Sequence, residues 1–230
     1  MGLRRTPFAV GEWYHCYNRG IDKRTAFRTT GDYERFLQLL YLTNTPRAVH
    51  RSNIPHRVTE DIVRIPREAT LVSIGAYCLM QNHFHLLLHE HTEGGIATFM
   101  QKIGTAYAMY FNIKNDRTGN LFNKPFKSRH VGDDRYFQYV IQYIHLNPAT
   151  LFEPRWKEGF VGDMRALESA LKKYRYSSYA DFMGETRAIK SILAPDVFDV
   201  FRPITSREML EEARAYYEEI SSSKEFRDIE

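Results

Sequence analysis

Two apolar runs separated by a single dipeptide constrain this 230-residue chain more than any other feature. Thr70 to Met80 (TLVSIGAYCLM) is rich in strand formers, and Gln81-Asn82 is short and polar enough for a tight turn. His83 to His89 (HFHLLLH) then reads as the return strand of a hairpin. Successive strand side chains point to opposite faces, so His83 and His85 share one face. Phe84, Leu86 and Leu88 take the other and can enter a core. Two imidazoles spaced by about 6–7 Å along a strand are suited to sharing a metal ion. A His-x-His pair on its own is more often structural, with one ring at a sheet edge and the other a satisfied core residue. Its meaning depends on the rest of the chain.

The remaining elements predict an α+β fold in the order β-α-(long loop)-β-β-α-β-α. Glu12 to Arg19 (EWYHCYNR) reads as a first strand, and a basic loop follows to Arg28. Thr30-Gly-Asp-Tyr-Glu opens a helix with capping residues, and Phe36, Leu37, Leu39, Leu40 and Leu42 form its apolar face. Residues 45–68 hold three prolines and no clear period, which predicts a long loop. Ile96 to Ile113 is a helix, Leu121 to Val131 a basic strand-like segment bent or edged by Pro125, and Asp133 to Asn147 another helix. Such an order suits a ferredoxin-like (RRM-like) antiparallel sheet with helices on one face. The expected division is a catalytic-size domain over 1–150 and a helical C-terminal extension over 151–230. The extension contains a short helix from Met164 to Lys173, a cluster of aromatics over 174–183 expected to be core, and an amphipathic helix from Ser206 to Glu219. The last residues are expected to fray.

Charge narrows the function class. Residues 1–28 hold six basic residues against two acidic ones, and residues 102–130 hold six against Asp116 alone. The tail from Thr205 has four basic and eight acidic residues. Positive charge interleaved with aromatics fits a nucleic-acid binder as well as it fits a solvated basic surface. Cys16 and Cys78 form no CxxC pair, which argues against structural zinc and makes a reducing cytoplasm the expected compartment. No apolar run approaches the roughly 18 residues of a membrane span, and there is no P-loop.

On the Asp133–Asn147 helix, Tyr139, Tyr143 and Asn147 recur at every fourth residue, on a flank apart from the stripe of Phe137, Val140, Ile141 and Ile144. A tyrosine hydroxyl, with an ordinary pKa near 10, is a weak nucleophile at neutral pH. A metal beside a target phosphate corrects that, and Asn147 could add an amide oxygen to the two histidines. His145 is a possible alternative ligand, although two residues along a helix it should face away. Taken alone, Tyr143 would read as an ordinary half-buried helical aromatic.

The stretch Tyr77-Cys-Leu-Met-Gln-Asn-His83-Phe-His85-Leu-Leu-Leu resembles the HUH signature, and Tyr143-Ile-His-Leu-Asn147-Pro148 looks like the tyrosine motif of single-tyrosine (IS200-like) transposases. Tyr14-His-Cys-Tyr-Asn-Arg-Gly20, Gly119 to Arg129 and Tyr176-Ser-Ser-Tyr179 are similar to the REP-associated branch of that family, in the family's order from about residue 12 to 184. The resemblance implies a metal-dependent endonuclease and strand transferase acting on single-stranded DNA beside hairpins of REP-like sequence. Tyr143 would be the nucleophile, forming a 5′-phosphotyrosine. His83, His85 and Asn147 would hold Mg²⁺ or Mn²⁺. Expected DNA contacts are Arg19, Lys23 and Arg24 after the first strand, and Lys124, Lys127 and Arg129 before the tyrosine helix. The protein would work as a monomer or homodimer, the tyrosine serving its own or a partner's site. A relaxase or replication-initiator nickase, and a non-catalytic nucleic-acid binder, are the competing readings.

Overall fold

The hairpin and the element order are those that the sequence predicts. The computed structural model describes residues 7–48, 58–202 and 204–221. In chain order its elements are β1 (Trp13–Arg19), α1 (Thr30–Leu42), α2 (Thr59–Ile62), β2 (Val72–Met80), β3 (His83–Glu90), α3 (Gly95–Lys114), β4 (Lys127–Val131) and α4 (Asp134–Leu146). Among the described residues these strands form one antiparallel four-stranded sheet in the order β2-β3-β1-β4. The fold is α+β with a C-terminal set of helices, α5 (Ala149–Phe152), α6 (Met164–Lys173), α7 (Tyr179–Phe182), α8 (Val197–Val200) and α9 (Ser206–Ser221).

Side-chain alternation divides the sheet into two dissimilar faces. Phe84, Leu86 and Leu88 are buried against Phe36, Leu37 and Leu40 of α1 and Phe99, Ile103, Tyr107 and Phe111 of α3. This is the ferredoxin-like face with its paired helices. Asp32, the third residue of α1, ties the two together: it accepts from the Thr29 amide at 2.9 Å and from Lys114 Nζ at 2.6 Å. Glu90 closes β3 by accepting from the Gly95 and Ile96 amides at 3.0 and 2.6 Å, so a buried carboxylate meets the N-terminus of α3. The opposite face carries α4, with Phe137, Val140, Ile141, Tyr143 and Ile144 packed over Tyr17, Ala76, Cys78 and Leu87.

A bulge between Ile74 and Ala76 adjusts β2 to this division. Before it, Ile74 faces α1 and α3; after it, Ala76, Cys78 and Met80 face α4. The residue between is Gly75, where a Cβ would meet Trp13 Cζ3 at 2.7 Å and Leu87 Cδ2 at 3.0 Å.

The C-terminal residues close the edge of β2. Leu79 N donates to Tyr176 O at 2.9 Å, Ser178 N to Tyr77 O at 3.0 Å and Ala194 N to Ile74 O at 2.9 Å, covering backbone groups that an edge strand would leave open. The aromatic cluster is core or packed on it, as expected: Tyr179 is buried, Tyr174 Oη donates to Leu79 O at 2.6 Å, and Tyr176 stacks on Tyr33 at 4.0 Å. Met209, Leu210 and Ala213 of α9 share the core of α4. Two expectations are revised. The described part of the 45–68 loop contains α2, a single turn that four residues are too few to signal by periodicity. The 121–131 segment is a strand only from Lys127, with an isolated bridge between Gly20 and Phe122 ahead of it. Residues 49–57 of the loop, two of the basic residues counted near the N-terminus (Arg4 and Arg5), and all but the first residue of the tail expected to fray from Ser221 lie outside the described residues; Ser221 itself ends α9. No helix of the described residues is long and apolar enough to cross a membrane.

Arg187 holds this extension together, donating to buried Asp181 (Nε to Oδ1, 3.0 Å) and to Ser177 O at 2.8 Å. Replacing it with alanine strands a buried carboxylate, and urea denaturation of Arg187→Ala should show about 3 kcal/mol less stability, with one cooperative transition retained. His145, wholly buried, gives a pH signature. Burial first, and the nearby Arg187 charge second, push its pKa down to about 3 from 6.5. The unfolded chain therefore binds a proton that the folded one refuses, so this contribution is complete above about pH 6.5 and lost as pH falls towards 3. Between pH 7 and 5 it should amount to about 2 kcal/mol, and His145→Gln should flatten the stability–pH curve by that amount.

Candidate active site

The site lies between the α4 face of the sheet and the end of α4. Antiparallel pairing sets Arg19 opposite His83 and Tyr17 opposite His85, and alternation puts His15, Tyr17, Arg19, His83 and His85 on this one face. His85 is wholly buried, and its Nε2 has no hydrogen-bond partner. Its Nδ1 is 3.0 Å from His15 Nε2, itself on a wholly buried ring. His83 is partly exposed, and its Nδ1 is 2.7 Å from Asn82 Oδ1, the turn residue beside it. Because an amide oxygen only accepts, the proton is on His83 Nδ1 and the Nε2 lone pair is left for the site.

Tyr143 comes to these histidines within one chain. Its ring centroid is 5.5 Å from that of His85 and 5.7 Å from that of His15, edge to face in both cases. The flank expected to lie apart from the core is therefore buried: Tyr143 is 1% exposed, because α4 lies on a covered sheet face rather than on a rim. One turn on, Asn147 ends the helix, donates Nδ2 to Tyr143 O at 2.8 Å, and lies near the His83 ring. His145 points the other way, its Nε2 2.8 Å from Ser178 Oγ, which removes it as an alternative ligand.

Burial dominates the electrostatics. It pushes His15 and His83 down to about 3 and His85 well below its ordinary value. Nearby positive charge adds to this, from Arg129 at His15, from Arg19 and Lys157 at His83, and from Lys157 at His85, where the neighbouring His83 and His15 rings further disfavour a cationic imidazole. The rings are thus neutral at physiological pH, as metal ligation requires. Among the described residues no three His, Cys, Asp or Glu side chains form a metal set. A divalent cation on this pair would need further oxygen ligands. The Asn147 amide against His83 and the unpartnered Nε2 of His85 make the residues compatible with one.

The expected DNA contacts separate into groups. Gly20 N donates to Asn82 O, Ile21 N to Leu121 O and Asn123 N to Arg19 O, at 2.8–3.0 Å. These bonds bring the loops bearing Lys23, Arg24 and Lys124 to the sheet end where His83 begins its strand. Lys23 and Lys124 are exposed there, and Arg24 and Lys127 are partly so. Arg19 is 7% exposed, facing the histidines rather than solvent, because it pairs with His83 across the ladder. Arg129 is ion-paired to Glu219 of α9 and lies 5.1 Å from the Tyr136 ring. The sequence reading gave no role to His15 or Lys157. Strand parity could have found His15, two residues before Tyr17 and four before Arg19. Nothing in Arg155-Trp-Lys157-Glu signals that a short 3₁₀ turn brings Lys157 back towards the histidines.

Among known proteins, a family model described as "Transposase IS200 like" matches residues 34–147, about half of the chain. No curated protein matches. A solved structure of a REP-associated tyrosine transposase bound to a REP hairpin is 15% identical, with a TM-score of 0.49, over 89% of this chain and 99% of that one. The matched segment runs from α1 through the histidine hairpin to Asn147, and by that match the chain belongs to the IS200-like transposase family.

Proposed function

We propose that this protein is a single-stranded DNA endonuclease and strand transferase that uses Tyr143 as its nucleophile. One observation carries the reading: the Tyr143 ring lies 5.5 Å from His85, whose Nε2 is buried without a partner. The Tyr143 oxygen attacks the phosphorus of a phosphodiester, the P–O3′ bond breaks, and the departing 3′ oxygen takes up a proton. The products are a 5′-phosphotyrosine and a free 3′-OH. A 3′-OH later reverses the attack, releasing the tyrosine and sealing or transferring the strand with no need for ATP, because the phosphotyrosine conserves the bond energy.

His83, His85 and Asn147 would hold Mg²⁺ or Mn²⁺. The chemistry such a cation supplies when bound is polarisation of the phosphate and stabilisation of its developing charge. The chain's own residues do the rest. Asn82 fixes the His83 ring, and the α4 core holds Tyr143 beside the pair. Lys157, lowered by burial to about 8, remains mostly cationic at neutral pH and places a positive charge beside both imidazoles, where a phosphate is to bind. Lys23, Arg24 and Lys124 surround the sheet end as backbone contacts for an entering strand, with Lys127 further along β4. Arg19 acts within the site, and Arg129 shares its charge with Glu219 of α9. The motifs that resemble the REP-associated branch support hairpin-flanked DNA as the substrate class.

A covalent adduct tests this. The protein is incubated with hairpin-flanked single-stranded DNA, labelled at either end, in Mn²⁺ or Mg²⁺, and run on a denaturing gel. The 3′-labelled strand should remain on the protein and the 5′-labelled fragment should leave with a free 3′-OH. Tyr143→Phe and EDTA should each abolish the adduct, and His85→Ala should lower it by at least about 100-fold. An adduct that survives in Tyr143→Phe would reassign the nucleophile. Salt-sensitive binding with no adduct on any hairpin would leave a DNA-binding protein in place of an enzyme.

A further inference from the structure

His15 has no part in the chemistry above, yet it makes the only direct polar contact that the described structure gives to the buried ring of His85. The two nitrogens, His15 Nε2 and His85 Nδ1, are 3.0 Å apart, which leaves room for one proton between them. If His15 held that proton, His85 would carry its own on Nε2, and its metal-facing nitrogen would be a donor with no lone pair to offer. If His85 Nδ1 holds it, the lone pair of His85 Nε2 is free in the site. The neighbouring ligand is arranged in the second way, since the Nδ1–H of His83 donates to Asn82 Oδ1.

We infer that His15 is a positioning residue for the proposed site: by accepting from His85 Nδ1–H it sets the tautomer and ring orientation that turn His85 Nε2 into a ligand. The inference rests on His85 being a metal ligand. His15 is suited to the role by its place in β1, on the same face as His85 and diagonal to it across the ladder, with ring centroids 5.1 Å apart. The same ring touches Tyr143, at 5.7 Å between centroids, so one side chain braces both the ligand and the nucleophile. Partners of this kind orient metal-bound imidazoles, and their removal commonly costs 10–100-fold in metal affinity.

Long-range ¹H–¹⁵N correlation on protein labelled with ¹⁵N-histidine reads the tautomer directly and needs no metal. The His85 signals are identified by their disappearance in His85→Asn. In the wild-type protein His85 should be protonated on Nδ1 and bare on Nε2; protonation on Nε2 would overturn the inference. Mn²⁺ binding, followed by electron paramagnetic resonance, should then weaken by about 10–100-fold in His15→Phe. It should recover to within several-fold in His15→Gln, whose side-chain oxygen can accept the same bond. Equal Mn²⁺ affinity in wild type and His15→Phe would also overturn it. So would a His15→Gln protein that keeps the wild-type melting temperature but binds Mn²⁺ no better than His85→Asn. If His15→Phe fails to fold, the wild-type tautomer and the glutamine variant still decide. Wild-type protein that takes up no Mn²⁺ while showing the Nδ1–H tautomer would instead sink the metal reading and leave the hydrogen bond assigned.

Discussion

The pairing of β1 with β3 is the constraint on which the rest of the structure depends. Its register places His15, Tyr17 and Arg19 beside His85 and His83 on one face, while Phe84, Leu86 and Leu88 anchor the opposite face in the core of α1 and α3. A slip of one residue would send the histidines into that core and bring the leucines under α4. The apolar half of β3 thus fixes the polar half. Burying three leucine- or phenylalanine-sized side chains contributes several kcal/mol, of order 2 each, and that energy holds the register in which the polar residues meet.

Burial also sets the chemical state of the site. Removing imidazoles from water disfavours their charged form, and the charges of Arg19 and Lys157 act in the same direction. The histidines remain bases with lone pairs available. The same desolvation lowers Lys157, though not far enough to discharge it at neutral pH. Two neutral imidazoles near a retained cation form a surrounding that would suit a phosphate together with a metal, as the proposed function requires.

Much of this was legible in the sequence, and the reason differs from residue to residue. The His83–His85 face followed from alternation, a property of any strand. The neighbourhood of Tyr143 and Asn147 followed from the four-residue helical spacing, and the hydrogen bond from Asn147 Nδ2 to Tyr143 O bears it out. What spacing along one helix does not reveal is what covers it. Tyr143 is buried because α4 lies on the sheet, with α9 against it, and that packing joins segments more than sixty residues apart. The same limit hid Lys157, which is near the histidines only in three dimensions. It also hid the state of Arg129, whose partner Glu219 belongs to the far end of the chain. Charge tallies placed Lys23, Arg24 and Lys124 in basic segments, but the backbone bonds among residues 20, 82 and 121–123 gather them at one end of the sheet.

The bulge at Gly75 gives the hairpin an unequal tolerance to change. Substitutions along β2 alter one side chain at a time. Loss or gain of one residue beside Gly75 is of another kind, because Ala76, Cys78 and Met80 would exchange faces with Tyr77 and Leu79. Tyr77 and Leu79 would then project into the space between the sheet and the tyrosine helix, and Ala76, Cys78 and Met80 would face the main core. In this strand the number of residues is constrained as well as their identity, and Gly75 is where that count is kept.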